Sequence, residues 1–175
     1  MVNAGVLDLY VTWSKYYIGQ LLTNVTDING KTQTGYVAYI CGKNDSVKAG
    51  SSKPTDSWTY LIVSKYGAAR LTDTSWINAR FDDAYLPSKA EMEVIIENLR
   101  ENSSTRQWKA FSDGSSNDSG WNDWWTLTED DADHDKAYYA SVTSHSDVTG
   151  TYAGLVMSTK EKTNTLKALG VSYLD

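Results

Sequence analysis

The sequence predicts an α+β fold in which antiparallel β-sheet dominates and one or two helices pack against it. Three observations support this class. Short apolar runs with strand-like alternation recur along the chain, turn-forming residues separate them, and one segment combines a helix-start pattern with helical spacing of apolar residues. With 175 residues, the chain is long enough for one domain with a sizeable core.

The first half of the chain is expected to consist mainly of strands. Between residues 6 and 13, apolar and polar residues alternate with the period of a half-buried strand. A second extended run leads into Asn29-Gly30, a pair that favours a type I′ turn because both central positions need positive φ. The polar segment 42–57 is expected to be a loop. Strands are predicted at residues 6–13, 16–25, 35–41 and 58–64.

One helix is predicted at residues 88–101. Ser88 and Glu91 have the spacing of a capping box, in which each side chain bonds to the backbone N–H of the other. The residues that follow place an apolar stripe on one side and charged residues on the other. The stripe is Met92, Ile95, Ile96 and Leu99, and the residues expected to face water are Glu91, Glu93, Glu97 and Arg100. A shorter helix through residues 76–79, capped by Asp73 or Thr74, is a second candidate.

The second half returns to strands after a long polar stretch at residues 102–123. A connection of this length and polarity is uncommon in a compact domain unless it has a function. An acidic loop at residues 129–136 lies between the first two strands that follow it. Strands are predicted at residues 125–128, 137–142, 152–157 and 166–174.

Composition excludes several classes of protein. The formal net charge is −6 and no Lys/Arg run occurs, which argues against a nucleic-acid partner. No apolar stretch approaches the ~20 residues of a transmembrane helix, and no secretory signal pattern is expected at the start. The single cysteine, Cys41, excludes an intrachain disulfide and a multi-cysteine zinc site, and its neighbours suggest a buried strand thiol.

Three motifs stand in the order seen in a known family. They are Leu86-Pro87-Ser88-Lys89-Ala90-Glu91-Met92, Trp125-Thr126-Leu127-Thr128-Glu129 and Ala137-Tyr138-Tyr139. Together they resemble the C-type-lectin-like domains of bacteria and phages, including those of phage fibre and receptor-binding proteins. The resemblance covers residues 36–175 and implies a C-type-lectin-like fold there, with residues 1–35 as an N-terminal β arm or hairpin for docking or assembly.

Two departures from the family pattern limit what the resemblance implies. Ala84-Tyr85 stands where Trp-Arg is usual, and the segment 167–171 replaces a Val-Arg-x-Val-Arg ending, so the arginine contacts of the family are not expected. The enzymes of this fold depend on paired cysteines, which a chain with one cysteine lacks. Neither paired carboxylates on one element nor a nucleophile with its base can be named, and no catalytic residue is predicted.

The tryptophan-rich stretch at residues 121–125 is the candidate binding site. Alternation sends Trp125 and Trp124 to opposite faces, and the resemblance assigns Trp125 to the core. The indoles expected to face a ligand are Trp108, Trp121 and Trp124, with Asn122 and Asp123 as hydrogen-bonding partners. A platform of this kind suits a glycan or a protein loop. The alternative is that these indoles pack against a neighbouring subunit.

The acidic loop supplies the candidate metal ligands. Asp130, Asp131, Asp133 and Asp135 follow Glu129 and offer the oxygen ligands that calcium prefers, but their spacing does not match an EF-hand. Trp121-Asn122-Asp123 repeats a tripeptide that holds calcium in sugar-binding C-type lectins, without the matching Glu-Pro-Asn upstream. The favoured interpretation is a solvated acidic loop and no cofactor, with bound calcium as the alternative.

These observations lead to a hypothesis about function. The chain is expected to be a non-catalytic virion protein of a bacteriophage, in a tail fibre or as a capsid decoration, that binds a host-surface glycan or protein. Synthesis in the host cytoplasm and release by lysis would require no signal peptide. Residues 1–35 would contact other virion proteins or sister subunits in a homo-oligomer, with a trimer as one candidate. The alternative is a purely structural capsid or tail accessory protein.

Overall fold

The computed structural model describes residues 14–42, 45–53, 57–65, 70–99, 123–147 and 150–175; for residues 70–72, 142–147 and 150–154 it describes the backbone alone. The strands are β1 (Leu21–Thr26), β2 (Thr32–Ile40), β3 (Tyr60–Ser64), β4 (Arg70–Ser75), β5 (Asp123–Glu129), β6 (Lys136–Asp147), β7 (Gly150–Glu161), β8 (Thr165–Leu169) and β9 (Val171–Leu174). The helices are α1 (Ser46–Ala49) and α2 (Lys89–Asn98), and a 3₁₀ turn spans Trp76–Asn78.

The strands form two sheets, one with the order β1-β2-β3-β9 and one with the order β4-β8-β5-β6-β7. All pairs of neighbouring strands are antiparallel except β5 and β8, which run parallel. The chain passes from one sheet to the other at Gly170, which separates β8 from β9. The predicted α+β class with mostly antiparallel sheet is confirmed.

Helix α2 packs against strands of both sheets and begins as predicted. The Ser88 hydroxyl accepts from the Glu91 backbone N–H, and the Glu91 carboxylate accepts from the Ser88 backbone N–H, which confirms the capping box. The predicted apolar stripe is buried with residues of β3, β5 and β9. The stripe that contacts this core is Met92, Ile95, Ile96 and Leu99.

The expectation that Glu91 faces water is wrong. Its side chain is 0% exposed, and donors from three separate parts of the chain surround its carboxylate. The Ser88 N–H and the Ser52 hydroxyl donate to Oε2 at 2.7 and 3.2 Å, and the Tyr173 hydroxyl donates to Oε1 at 2.7 Å. Helical spacing alone placed Glu91 on the polar side, whereas the loop at Ser52 and strand β9 cover it.

Both faces of strand β3, inside the four-stranded sheet, are buried. On β3, Leu61 and Val63 join the core around α2, while Tyr60 and Ile62 join a second cluster with Leu22 on the opposite face. Every residue of β3 is therefore buried, which explains why this strand has a continuous apolar run instead of an alternating one. Separate core clusters therefore pack on the two faces of the sheet at β3.

The first hairpin joins β1 to β2 at the predicted turn, but the turn differs in type. Gly30 has φ +77°, whereas Asn29 does not have positive φ, so the type I′ geometry is not formed. Asp27 holds the turn instead, since its Oδ1 accepts from the backbone N–H groups of Asn29 and Lys31. The expected boundary between residues 35 and 36 falls inside β2, so that residues 21–35 belong to the four-stranded sheet.

Several other elements differ from the sequence-based expectation, because tertiary contacts determine their conformation. The predicted strand at 166–174 is two strands, and the predicted helix near residue 76 is a 3₁₀ turn that follows strand β4. The expected loop at 42–57 contains the short helix α1. Cys41 is half-buried just beyond β2, and burial raises the pKa of its thiol to about 11. The strand predicted at residues 6–13 lies outside the described residues.

We expect Glu91→Ala to lower the free energy of unfolding by about 3 kcal/mol or more, because it leaves buried donors unsatisfied and creates a cavity. Glu91→Gln should cost much less, since its carbonyl oxygen can still accept from Ser88 and Ser52. Urea denaturation of both variants beside the unmodified protein measures the difference. Equal stability of all three proteins would contradict the role given to this carboxylate.

The pH dependence of stability gives a second test of Glu91. Burial raises its pKa, although hydrogen bonds from Tyr173, Ser88 and Ser52 oppose the rise. A raised pKa means that the folded state holds the proton more tightly than the unfolded state. The protonated Glu91 side chain therefore makes its full contribution to stability below the unfolded pKa. This contribution is lost as pH rises through the folded pKa. Urea denaturation at a series of pH values should show this loss, and the Glu91→Gln variant should lack it.

Candidate functional site

Two of the five residues predicted to bind a ligand are described, and they fall in different environments. Asp123 is half-buried at the first position of β5, and Trp124 follows it in the core. Trp108, Trp121 and Asn122 lie outside the described residues. Their predicted role remains a prediction.

The expectation that Trp124 presents its indole to a ligand is wrong. Its side chain is 2% exposed and packs in the same cluster as Met92 and Ile95 of α2. On the strands that flank β5, Trp124 pairs with Ala140 of β6 and with Lys167 of β8. Because β5 lies inside the five-stranded sheet and has packed side chains on each face, neither of its two adjacent tryptophans is at the surface.

The prediction that Trp125 belongs to the core is confirmed. It is fully buried in the cluster formed with Trp76 and Leu86, on the face opposite to Trp124. Its indole N–H donates to the Thr74 carbonyl at 2.9 Å, while the Trp76 indole N–H donates to the Thr126 carbonyl at 2.7 Å. These two bonds join β5 to β4 and to the 3₁₀ turn, which fixes the position of the start of β5.

An open groove of about 350 Å³ lies where β5 begins. Its lining residues come from three neighbouring strands and are Asp73, Asp123, Thr165, Leu166 and Lys167. Asp123 Oδ2 also lies 3.2 Å from Lys160 Nζ, a partly buried ion pair that joins β5 to β7. Lys167 Nζ lies 5.5 Å from the centre of the Trp124 ring. The groove therefore combines hydrogen-bond acceptors and donors at the start of β5, a strand with buried side chains on both faces.

Asp73 has an unusual backbone for a residue other than glycine. Its φ is +51°, in the left-handed region, at an irregularity in the pairing of β4 with β8 between Leu71 and Thr74. Aspartate tolerates this region better than most residues do. Its side chain is exposed and forms no hydrogen bond or ion pair with the described residues.

The acidic loop between β5 and β6 uses several of its carboxylates to stabilise the turn. Asp130 Oδ1 accepts from the Ala132 N–H, and Asp133 Oδ1 accepts from the Asp135 N–H. Lys136 Nζ lies 2.8 Å from Asp133 Oδ2, and hydrogen bonding to Lys136 lowers the pKa of Asp133. Across the described ranges, no group of three or more His, Cys, Asp or Glu side chains converges in a way that could hold a metal ion.

The groove contains residues that sequence reasoning missed. Asp73 was expected to cap a helix, and Lys167 belongs to no candidate site. Their proximity depends on β8 lying between β4 and β5, an order that joins distant parts of the chain. The periodicity of a single segment does not predict which distant strands will lie next to each other. Only Asp123, a predicted ligand-binding residue just before the strand predicted at residues 125–128, pointed to this end of the sheet.

The chain matches no protein-family model, no curated protein and no solved structure. Among the residues that the structure describes, no helix is long and apolar enough to cross a membrane.

We expect Trp124→Ala to lower the free energy of unfolding by about 3–5 kcal/mol, the cost of removing a large buried aromatic side chain. Ile77→Ala serves as the control, because Ile77 is a large apolar residue that is 63% exposed and should change stability by less than about 0.5 kcal/mol. Chemical denaturation followed by circular dichroism measures both. A Trp124→Ala protein as stable as the control would contradict burial of this indole.

Proposed function

We propose that this chain is a non-catalytic recognition protein on the surface of a phage virion, with a C-type-lectin-like fold, that binds a host-surface receptor or glycan. The resemblance of the Leu86–Met92, Trp125–Glu129 and Ala137–Tyr139 motifs to phage receptor-binding domains supports this proposal. So does the order of the corresponding elements, a capped helix followed by two paired strands. The binding face comprises the segment 102–136, apart from the residues of β5 that are buried in the core, and the groove at Asp123.

The main support for the proposal is the position of the residues on either side of the segment 100–122. Leu99 precedes the segment and Asp123-Trp124 follows it, and the side chains of Leu99 and Trp124 are buried in the same core cluster. A long polar connection held at each end by a rigid core is a common arrangement for a binding loop. Trp108 and Trp121 lie within this connection and supply aromatic side chains suited to ligand contact.

The groove at the end of this connection adds a polar surface beside it. Asp123 is the first described residue after the segment 100–122, and its carboxylate is held by Lys160. Reversible binding needs hydrogen-bonding groups that are already positioned, since less conformational entropy is then lost on association. Strands β4, β5 and β8 provide such groups at this position.

Binding by the segment 100–122 can be tested with Trp108→Ala and Trp121→Ala, leaving Trp124 unchanged because it belongs to the core. We expect each variant to bind about tenfold or more weakly to host cells, as is common when a central aromatic contact is removed. Binding of the labelled protein to a panel of bacterial strains provides the measurement. Ile77→Ala is the matched control, and circular dichroism verifies folding. Unchanged binding by both Trp variants would remove these residues from the site.

A second candidate function is supported by a different surface. Three exposed apolar side chains lie within five positions before and at the start of β1, namely Tyr17 (69%), Ile18 (41%) and Leu21 (38%). In the described part of the chain, β1 is also an edge strand of its sheet. Unpaired edge groups beside apolar side chains favour pairing with another chain. This supports assembly through residues 1–35, either in a homo-oligomer or with other virion proteins, and a purely structural role.

The structural role can be separated from receptor binding by measuring mass in solution. We expect the combined change Tyr17→Ser, Ile18→Ser and Leu21→Lys to shift the protein from oligomer to monomer in light scattering after gel filtration. A single Ile77→Ser change should leave the mass unchanged. A monomeric unmodified protein at all accessible concentrations would contradict self-assembly through this surface. Dissociation without any host binding would favour the structural role.

A further inference from the structure

The exposed side chains of Tyr17, Ile18 and Leu21 form the β1 surface, which lies before and at the start of β1. We propose that this surface binds the outer edge of β7 in a second copy of the chain, so that a sheet of one subunit continues into a sheet of the next. This inference rests on the proposed assembly through the β1 surface and names the part of the neighbouring subunit that receives it.

Four of the described strands, β1, β9, β4 and β7, lie at the end of a sheet. The outer edge of β9 is occupied, because the backbone N–H groups of Tyr85 and Val171 each donate to the other residue's carbonyl at 2.8 Å. The edge of β4 is irregular, because Asp73 has a left-handed backbone where the pairing with β8 shifts. Irregular pairing of this kind hinders the addition of a further strand. Among the described strands, β1 and β7 remain as the edges that can receive another chain.

Strand β1 is irregular as well, but only beyond its exposed apolar side chains. Its pairing with β2 shifts after Leu22, and Asn24 has a φ of +54°. Before this point the backbone bonds to β2 are regular. The Gly19 N–H donates to the Val37 carbonyl at 2.8 Å, and the Val37 N–H donates to the Gln20 carbonyl at 2.9 Å. This part of the edge therefore has the extended backbone that pairing with another strand requires.

The edge of β7 is long and regular. Strand β7 pairs with β6 at all of its 12 residues without any shift in register. Strand β5 pairs with β6 only as far as Ser141, so among the described strands the rest of the β6–β7 ribbon is two-stranded. A two-stranded ribbon is marginally stable in water, and a third strand stabilises it. The arrangement of β7 therefore favours the addition of a strand along its outer edge.

The composition of the two edges fits them to each other. Residues 150–159 of β7 contain no charged residue and no proline. Natural edge strands usually carry lysine, proline or a bulge, each of which prevents pairing with another chain. In the middle of this stretch, Val156 is 54% exposed. Residues 16–26 also contain no charged residue, so pairing of the two edges brings no like charges together and covers apolar side chains on both.

Contact between the two different edges is favoured over pairing of either edge with its own copy. Self-pairing of β1 would leave β7 open in both subunits, and self-pairing of β7 would leave the β1 surface exposed. One contact between β1 and β7 occupies both edges, and a closed ring of such contacts leaves neither edge free. Since open edges promote uncontrolled association, an arrangement that covers both is preferred. The β1 surface of one subunit therefore contacts β7 of the next.

A charge on the β7 edge should prevent assembly. Val156→Lys places an ammonium group in the middle of this edge, and Ser158→Lys places one two positions further along the same face. We expect both variants to shift from oligomer to the 19.5 kDa mass of one chain in light scattering after gel filtration. Ile77→Lys is the matched control, because it adds the same charge at an exposed apolar residue elsewhere, and should remain oligomeric. Circular dichroism verifies that each variant is folded.

Mixing two monomeric variants tests the contact itself. The Val156→Lys protein keeps an intact β1 surface, whereas the combined change Tyr17→Ser, Ile18→Ser and Leu21→Lys keeps an intact β7 edge. Each protein is expected to be monomeric alone. An equimolar mixture should form a dimer with twice the mass of one chain, because one β1 surface and one β7 edge remain to bind each other. Pairing of identical edges would give no such rescue.

A mixture that stays monomeric at the highest soluble concentration would overturn the inference. Oligomeric Val156→Lys and Ser158→Lys proteins beside a monomeric β1-surface variant would also overturn it, while assembly through the β1 surface would stand. If the unmodified protein is monomeric, both the inference and the proposed assembly fail. Host-cell binding by the Trp108→Ala and Trp121→Ala variants is a separate measurement, so the recognition role is tested independently of these outcomes.

Discussion

The buried carboxylate of Glu91 is the interaction on which much of the fold depends. It joins the start of α2 to the loop at Ser52 and to Tyr173 on the last strand. A buried carboxylate is costly unless hydrogen bonds surround it, so these three parts of the chain must come together for the domain to form. A residue whose local role is to cap a helix thereby also sets the position of that helix relative to the end of the chain.

This constraint extends to the second sheet because the last two strands are adjacent in sequence. Tyr173 lies on β9 in the four-stranded sheet, and only Gly170 separates β9 from β8 in the other. Strand β8 in turn lies between β4 and β5, where the groove is formed. Because the Tyr173 hydrogen bond holds β9 near Glu91, it also helps to position β8. The indole hydrogen bonds of Trp76 and Trp125 complete the attachment of β4 to β5.

Because Trp124 is buried, the candidate site is centred on polar residues of neighbouring strands and not on the tryptophan pair. Trp124 and Trp125 pack on opposite faces of β5, so both stabilise the support on which a binding surface stands. The groove beside them is lined by side chains of three neighbouring strands, and Leu99 and Trp124, which lie close in sequence to the two ends of the segment 100–122, belong to the same core cluster.

The sequence by itself determined the features that depend on neighbouring residues. The α+β class, the capping box, the apolar stripe of α2, the turn at Gly30 and the burial of Trp125 all follow from spacings of a few positions or from a short motif. Tertiary structure alone decided the burial of Glu91 and Trp124, the break at Gly170 and the groove at Asp73. The reason is physical: a residue's exposure depends on what packs over it, and at these positions the covering or pairing groups come from parts of the chain tens of residues away.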